Sequence, residues 1–250
     1  IKTSGDSFVM PVCIPNFMGR LRYDWGLRLE SKRFRANQQR HRREHFSFTT
    51  SPPVTNRPSL RSHFRSLRQQ LDPEVRAEKI RCLNERLSKL NVLRQARNIA
   101  AYLASPEEAS VTPFVEIAWQ RAQAVFLPWI DAQPRKMVLR RYQPSDVLVK
   151  NRFGLLEPDR QNDAASANQL DCVLVPLVAF DDQGTRLGMG GGYYDSFFAE
   201  AKGRPMLIGT AFSEQRATES LPKAAWDVAL DMVVTDAGIT QFIKPGTTWD

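Results

Sequence analysis

The stretch that most constrains this chain is residues 170–195, LDCVLVPLVAFDDQGTRLGMGGGYYD. It opens on an unbroken apolar run, 172–180, which has the length and make-up of a strand buried on both faces. The polar sequence Asp181-Asp182-Gln183-Gly184 then predicts a turn. A lone cation, Arg186, precedes four glycines in five positions: Gly188, Gly190, Gly191 and Gly192. Tyr193, Tyr194 and Asp195 begin YYDSFFAEAK, which reads as a helix. Glycines this dense let the backbone take positive φ and gather N–H donors on one side. Such a nest at a helix start, beside an arginine, suits a polyphosphate. The competing reading is a tight strand-to-helix turn. The glycines alone do not separate the two; Arg186 before them and Asp195 after them favour the anion site.

Composition closes several alternatives. The chain of 250 residues is long enough for one sizeable core, and no apolar run approaches the ~18 residues of a membrane span. The formal charge of +8 suggests nucleic acid until it is located. Residues 1–56 hold ten Lys and Arg against four Asp and Glu, whereas the rest holds 25 against 23. The histidines are His41, His45 and His63, so the body beyond them has no imidazole base and no Ser-His-Asp or Cys-His site. Cys13, Cys82 and Cys172 form no CxxC pair, which disfavours zinc and fits a reducing compartment. Cys172 itself reads as a core residue.

Residues 1–56, with SKRFRANQQRHRRE and FTTSPPVTN, read as a basic, disordered extension and carry no signal-peptide pattern. A basic arm touching RNA or phosphate surfaces is the competing reading. From Arg57 onward, Leu60, Phe64, Leu67 and Leu71 recur at helical spacing, with Arg61, Arg65 and Arg68 in step on another face. That arginine row is either a solvated helix face or a set of anion contacts. Asp72 and Pro73 predict a helix restart, with Ile80, Leu83, Leu87 and Leu90 turned inward. NIAAYLA, AVFLPWI, KMVLRRY, PMLIGTAF and DMVVTD read as strands, the last closing the domain. VLVKNRFGLLEPD reads as a loop. Strands alternating with helices predict a three-layer, open, mostly parallel α/β sheet of Rossmann-like type, with helices on both faces. Ligands in such sheets sit at the carboxyl ends of the strands, where the 105–111 loop and the glycines should both lie.

Two nucleotide patterns fail. No lysine follows the glycines as a P-loop requires, and the third glycine of GxGxxG would fall on Tyr193. An anion nest flanked by a cation and a carboxylate remains, able to hold a nucleotide triphosphate with Mg²⁺. At these residues the chain resembles the 5-formyltetrahydrofolate cyclo-ligase (5,10-methenyltetrahydrofolate synthetase) family, through VPLVAFDDQGTRLGMGGGYYD. RPSLR at 57–61, Glu108 shortly before Pro113, VFLPWI, FGLLEP and LPKAAWDVALDMVVT carry the resemblance across residues 57–235.

The resemblance implies ATP-dependent closure of 5-formyltetrahydrofolate to 5,10-methenyltetrahydrofolate, with ADP and phosphate released and Mg²⁺ as cofactor. By it, Arg57, Arg61, Arg186, Leu187, Gly188, Met189, Gly190, Gly191, Gly192, Tyr193 and Tyr194 form the ATP site, with Arg186 and Tyr193 catalytic. Glu108, Phe153, Met189 and Tyr193 contact the folate, with or without a polyglutamate tail. Asp195 and Asp227 hold the metal. Taken alone, Asp195 equally suits a helix dipole, Asp227 a turn, and Phe153 a core. The resemblance further implies a cytoplasmic, monomeric enzyme with no membrane or nucleic-acid partner. A sugar-phosphate or CoA-handling protein on a similar sheet, and an RNA-associated protein acting through residues 1–56, stay open at this point. A chain lacking residues 1–56 is expected to form methenyltetrahydrofolate at the full chain's rate, followed by near-ultraviolet absorbance. Loss of that activity on deletion would move function into the basic segment.

Overall fold

The computed structural model describes residues 56–131, 136–151, 154–199, 201 and 203–242. The extension expected over 1–56 therefore lies outside the described residues, except for Asn56. That residue belongs to the folded part: its side chain accepts the Ser59 N–H at 2.9 Å and caps α1 (Arg57–Gln69). Asp72 caps α2 (Pro73–Lys89), accepting the Glu74 N–H at 2.9 Å with Pro73 in the first turn. Leu83 and Leu87 are fully buried, while Leu90 is the helix's C-cap and only partly buried. A short α3 (Asn91–Gln95) leads into β1 (Asn98–Ala100), followed by α4 (Thr112–Gln120), β2 (Ala124–Ile130) and β3 (Met137–Tyr142).

The segment read as a loop contains a small antiparallel hairpin, β4 (Val149–Lys150) with β5 (Leu156–Glu157), turned at Gly154 with φ 75°. The two-residue β6 (Ala164–Ala165) comes next, then β7 (Cys172–Pro176), β8 (Ala179–Phe180), β9 (Arg186–Leu187) and α5 (Tyr193–Ala199). The chain then runs through β10 (Met206–Ala211), β11 (Met232–Thr235) and β12 (Ile239–Gln241). DMVVTD is therefore not the closing strand: β12 returns antiparallel to β11.

The main sheet has eight strands in the order β12-β11-β10-β7-β1-β2-β3-β6. The pairings from β11 through β2 are parallel, and β12, β3 and β6 add antiparallel edges. The period-2 alternation of the strands sorts the core into two layers. Ile99, Cys172, Leu174, Ile208 and Val234 pack under α2, α3 and α4. Ala100, Val173, Val175, Leu207 and Val233 face the other way, toward Phe198 of α5. Cys172 is a core residue, and burial pushes its thiol up to about 12. Helix α1 packs through Phe64 on a third cluster with Val178, Ala179, Leu187 and Leu221. No helix among the described residues is long and apolar enough to cross a membrane.

The apolar run 172–180 is not one strand. The ladder ends at Pro176, whose ring nitrogen has no hydrogen to donate. Beyond it, the carbonyls of Leu177 and Val178 are taken by the buried Gln215 side chain at 2.7 and 3.0 Å. Ala179 and Phe180 pair instead with Arg186 and Leu187 in a separate hairpin. Asp181 organises its turn from a buried position, accepting the N–H groups of Gln183, Thr185 and Leu221 at 2.9 Å each. This break swings the chain off the sheet and delivers the glycines to the strand ends.

Gly209 in the middle of β10 marks how closely the next layer approaches. A β-carbon there would meet side-chain carbons of Leu230, Leu177 and Val233 at 2.7–2.9 Å. Gly209→Ala is expected to destabilise the fold by about 1–3 kcal/mol through overpacking, measured by urea unfolding. An unchanged midpoint would show that this layer yields freely.

Candidate active site

The carboxyl ends of β1, β2 and β7 open into a cavity of about 790 Å³, within the usual size range for small-molecule sites. Ser105 and Glu108 follow β1, Pro128 and Ile130 end β2, and Pro176 and Leu177 end β7; all of them line it. So do Gly188, Met189, Gly190, Gly191 and Gly192, together with Arg57, Arg61, Arg186, Asp195 and Asp227. The two loops expected at this edge do meet there.

Within the glycine loop, Gly190 has φ 101° and Gly192 φ 69°, the left-handed backbone that favours glycine. Two close approaches explain the neighbouring positions. A β-carbon on Gly190 would stand 3.3 Å from the Arg61 guanidinium, and one on Gly191 would meet the Tyr193 ring at 2.7 Å. Arg61 braces the loop directly, its Nε donating to the Gly188 carbonyl at 2.8 Å. The Ser196 N–H then returns to the Gly192 carbonyl at 2.9 Å as α5 begins.

Arg186 and Arg57 are each paired with one of the two carboxylates expected to hold metal. Arg186, only 6% exposed along its side chain, donates Nη2 to Asp195 Oδ1 at 2.6 Å and Nη1 to the Val228 carbonyl. Asp195 Oδ1 also accepts the Val228 N–H at 3.1 Å. Arg57 pairs with Asp227 through Nη2 and reaches the Pro222 carbonyl with Nη2 at 3.0 Å and Nε at 3.2 Å. Asp227 further accepts the Ala224 N–H at 2.7 Å, so it does act as a turn acid as well. Burial works to raise the Asp227 carboxyl, but hydrogen bonds from Arg57 and the Ala224 N–H outweigh it and leave the group below its ordinary value.

No cluster of three or more metal-ligating side chains exists among the described residues. Asp195 and Asp227 are hard oxygen donors in one cavity, and Asp195 Oδ2 accepts no hydrogen bond from the described residues. That donor set fits a hard cation whose remaining ligands are phosphate oxygens and water.

The rest of the wall is mostly apolar. Leu103, Leu127, Met137, Leu155 and Leu156 contribute to it, with Leu155 and Leu156 reaching in from the β4–β5 segment. Tyr102 is buried there, donating to the Ala109 carbonyl at 2.5 Å and lying 2.8 Å from the Thr210 hydroxyl; burial raises its phenol. Glu108 Oε2 accepts the Ser105 N–H at 2.9 Å and the carboxylate faces the cavity. Tyr193, Tyr194 and Met189 line the site, Met189 being 57% exposed. Leu187 also lines the site, while its side chain packs in the third core cluster. Phe153 lies outside the described residues.

Among the wall residues not singled out from sequence, Trp226, Glu157 and Tyr102 stand out by their chemistry. Trp226 is 74% exposed beside Asp227; as the residue before an assigned carboxylate it read as part of a connector. Glu157 is buried, accepting the Ile130 N–H at 3.2 Å and the Asn151 amide at 2.9 Å; FGLLEP was its signal. Tyr102 gave no pattern of its own. The arginine row also divides, because Arg65 is exposed, Arg61 half-buried and Arg68 only 1% exposed.

Residues 53–236 match the sequence profile of the 5-formyltetrahydrofolate cyclo-ligase family. The chain is 32% identical over 177 residues to the 5-formyltetrahydrofolate cyclo-ligase of Haemophilus influenzae, covering 70% of this chain and 94% of that protein. It is also 32% identical over 183 residues to that of Escherichia coli K12, covering 71% and 99%. The NMR structure of Aquifex aeolicus 5,10-methenyltetrahydrofolate synthetase superimposes with a TM-score of 0.66 at 27% identity, over 78% of this chain and 96% of that one.

The Arg57–Asp227 pair carries a pH signature. Asp227's depressed carboxyl adds stability that is complete above its ordinary value of 3.8 and is lost as pH falls through the folded-state value. Urea unfolding of wild type and Asp227→Asn should therefore show a stability gap that is constant near neutral pH and narrows below about pH 4. A gap that stays flat through the acid range would contradict the pairing.

Proposed function

The chain belongs to the 5-formyltetrahydrofolate cyclo-ligase family, and from that membership we propose that it closes 5-formyltetrahydrofolate to 5,10-methenyltetrahydrofolate with ATP going to ADP and phosphate. The observation that carries the assignment of this chemistry to the cavity is the convergence of the glycine loop with Arg57, Arg61 and Arg186 on one wall. A sugar-phosphate or CoA reading has no comparable support.

The formyl oxygen attacks the γ-phosphorus of ATP. An O–P bond forms, the bond to the bridging oxygen breaks, and ADP leaves with that electron pair. The neighbouring secondary amine then adds to the activated formyl carbon. The C–O bond breaks, phosphate departs with its pair, and the amine proton passes to solvent. Both steps depend on positioning and charge neutralisation, which is consistent with a cavity that has no histidine in its lining.

Each proposed role follows from the geometry around it. The N–H groups of residues 188–192 cradle the phosphates, and Arg61 keeps that loop in shape through the Gly188 carbonyl. Arg186 offers its fork to the transferring phosphoryl group, and Arg57 closes on the nucleotide from α1. Arg57 and Arg186 each face a carboxylate, so phosphates binding here compete with Asp227 and Asp195 for guanidiniums that are already aimed. Asp195 and Asp227 would hold Mg²⁺ carried on the phosphates; when bound, it neutralises phosphate charge. Tyr193, packed under Gly191, borders the reacting groups as the second catalytic residue. Glu108 would hydrogen-bond the pterin, with Met189, Tyr193 and Phe153 along the folate. The working unit proposed with this reading is a monomer. A cytoplasmic setting goes with this reading, in keeping with the sparse, odd number of cysteines in the sequence.

Arg186→Ala is expected to lower kcat at least about 100-fold in a near-ultraviolet assay of methenyltetrahydrofolate. Far-ultraviolet circular dichroism should stay native, because the side chain ties α5 to the connector without supplying the backbone hydrogen bonds of the helices and sheet. Turnover at the wild-type rate would remove Arg186 from the reaction.

A further inference from the structure

We infer that Arg68 is a positioning residue, acting through Glu108 to hold that carboxylate and its loop toward the folate side of the cavity. The inference rests on the reading of Glu108 as a substrate contact. Arg68 shares α1 with Arg57 and Arg61, yet it is 1% exposed. Its Nη1 lies 3.9 Å from Glu108 Oε1 and 3.5 Å from the Leu177 carbonyl, while Nη2 lies 3.8 Å from Glu107 Oε2. Its Nε is buried with no hydrogen-bond partner among the described residues.

These contacts are long and incomplete for a buried guanidinium. An apolar side chain of similar volume would serve a purely structural position at lower cost. Burial lowers the Arg68 pKa, with Glu108 and Glu107 opposing that shift. What the arginine joins is specific. Helix α1, the 105–108 loop and Leu177 at the end of β7 each contribute residues to the cavity wall.

Glu107 has other partners, since the Gln69 amide donates to it at 2.6 Å and Arg65 approaches to 3.9 Å. Among the described residues Glu108 has no other ion-pair partner. Its Oε2 is tied to the Ser105 N–H at 2.9 Å while Oε1 faces Arg68, so the carboxylate plane is held from both sides. A contact residue fixed in this way is set before substrate arrives, and that is what supporting side chains supply to a binding site.

The test uses the full chain with Arg68→Met, Arg68→Lys, Glu108→Gln and the Arg68→Met/Glu108→Gln pair. Arg68→Met keeps volume and removes the charge. It is expected to raise KM for 5-formyltetrahydrofolate about tenfold and leave KM for ATP within about twofold, with any fall in Tm coming from the unpaired Glu108 and therefore smaller in the Glu108→Gln background. Arg68→Lys should recover part of the loss, and Arg68→Met should add nothing in the Glu108→Gln background. If Glu108→Gln raises the folate KM but Arg68→Met does not, the role of Arg68 falls alone. If Glu108→Gln itself leaves that KM unchanged, the reading of Glu108 falls and takes this inference with it. Additive effects with both KM values raised and Tm lowered would make Arg68 a structural residue only.

Discussion

Two guanidinium–carboxylate pairs meeting at residues 227 and 228 hold this site together. Arg57 reaches Asp227 from α1, and Arg186 reaches Asp195 and the Val228 carbonyl from β9, while the Val228 N–H closes back on Asp195. Three segments distant in sequence are thereby fixed against one another: the start of α1, the hairpin that leads to the glycines, and the connector before β11. The connector is tied to the same hairpin again by the Leu221 N–H on Asp181 and the Leu230 N–H on the Gly184 carbonyl, both at 2.9 Å. Partly buried ion pairs add little net stability, because desolvation offsets most of the attraction. Their persistence here is better understood through what they arrange.

What they arrange is a cationic rim with its charges balanced before any ligand arrives. A bare set of arginines around bare amides would repel itself and wander. Paired with carboxylates, the Arg57 and Arg186 forks are each held in one orientation. The glycines complete the arrangement by what they lack. At Gly190 and Gly191 a side chain would press on the Arg61 guanidinium and the Tyr193 ring, so the loop packs closely against both because it carries no β-carbons there. Apolar residues from the segment after β1, from β2 and β3, and from the β4–β5 segment give the cavity the mixed character that a charged nucleotide and a flat pteridine require together.

Much of the fold was legible because period and punctuation are local properties. AVFLPWI is β2 residue for residue, Asp72-Pro73 starts α2 as its capping chemistry requires, and YYDSFFA opens α5. The run 172–180 was misleading for an equally local reason: its composition is uniformly apolar, but Pro176 and the distant Gln215 side chain divide it. The arginine row was ambiguous in the same way. Helical spacing put Arg61, Arg65 and Arg68 on a shared stripe, and only packing against residues 105–108 and 177 buries the third while leaving the second in water.

By itself, then, the order of residues determined the alternation of strands and helices, the absence of histidine chemistry in the body, and the density of glycine after Arg186. These need only nearest neighbours, side-chain period and the freedom of a residue without a β-carbon. The pairing partners of Arg57 and Arg186, the burial of Arg68 and the bend after Pro176 were decided by tertiary structure. Each depends on groups 9 to 170 positions away along the chain, and spacing carries no information about which of several carboxylates a guanidinium will meet in space.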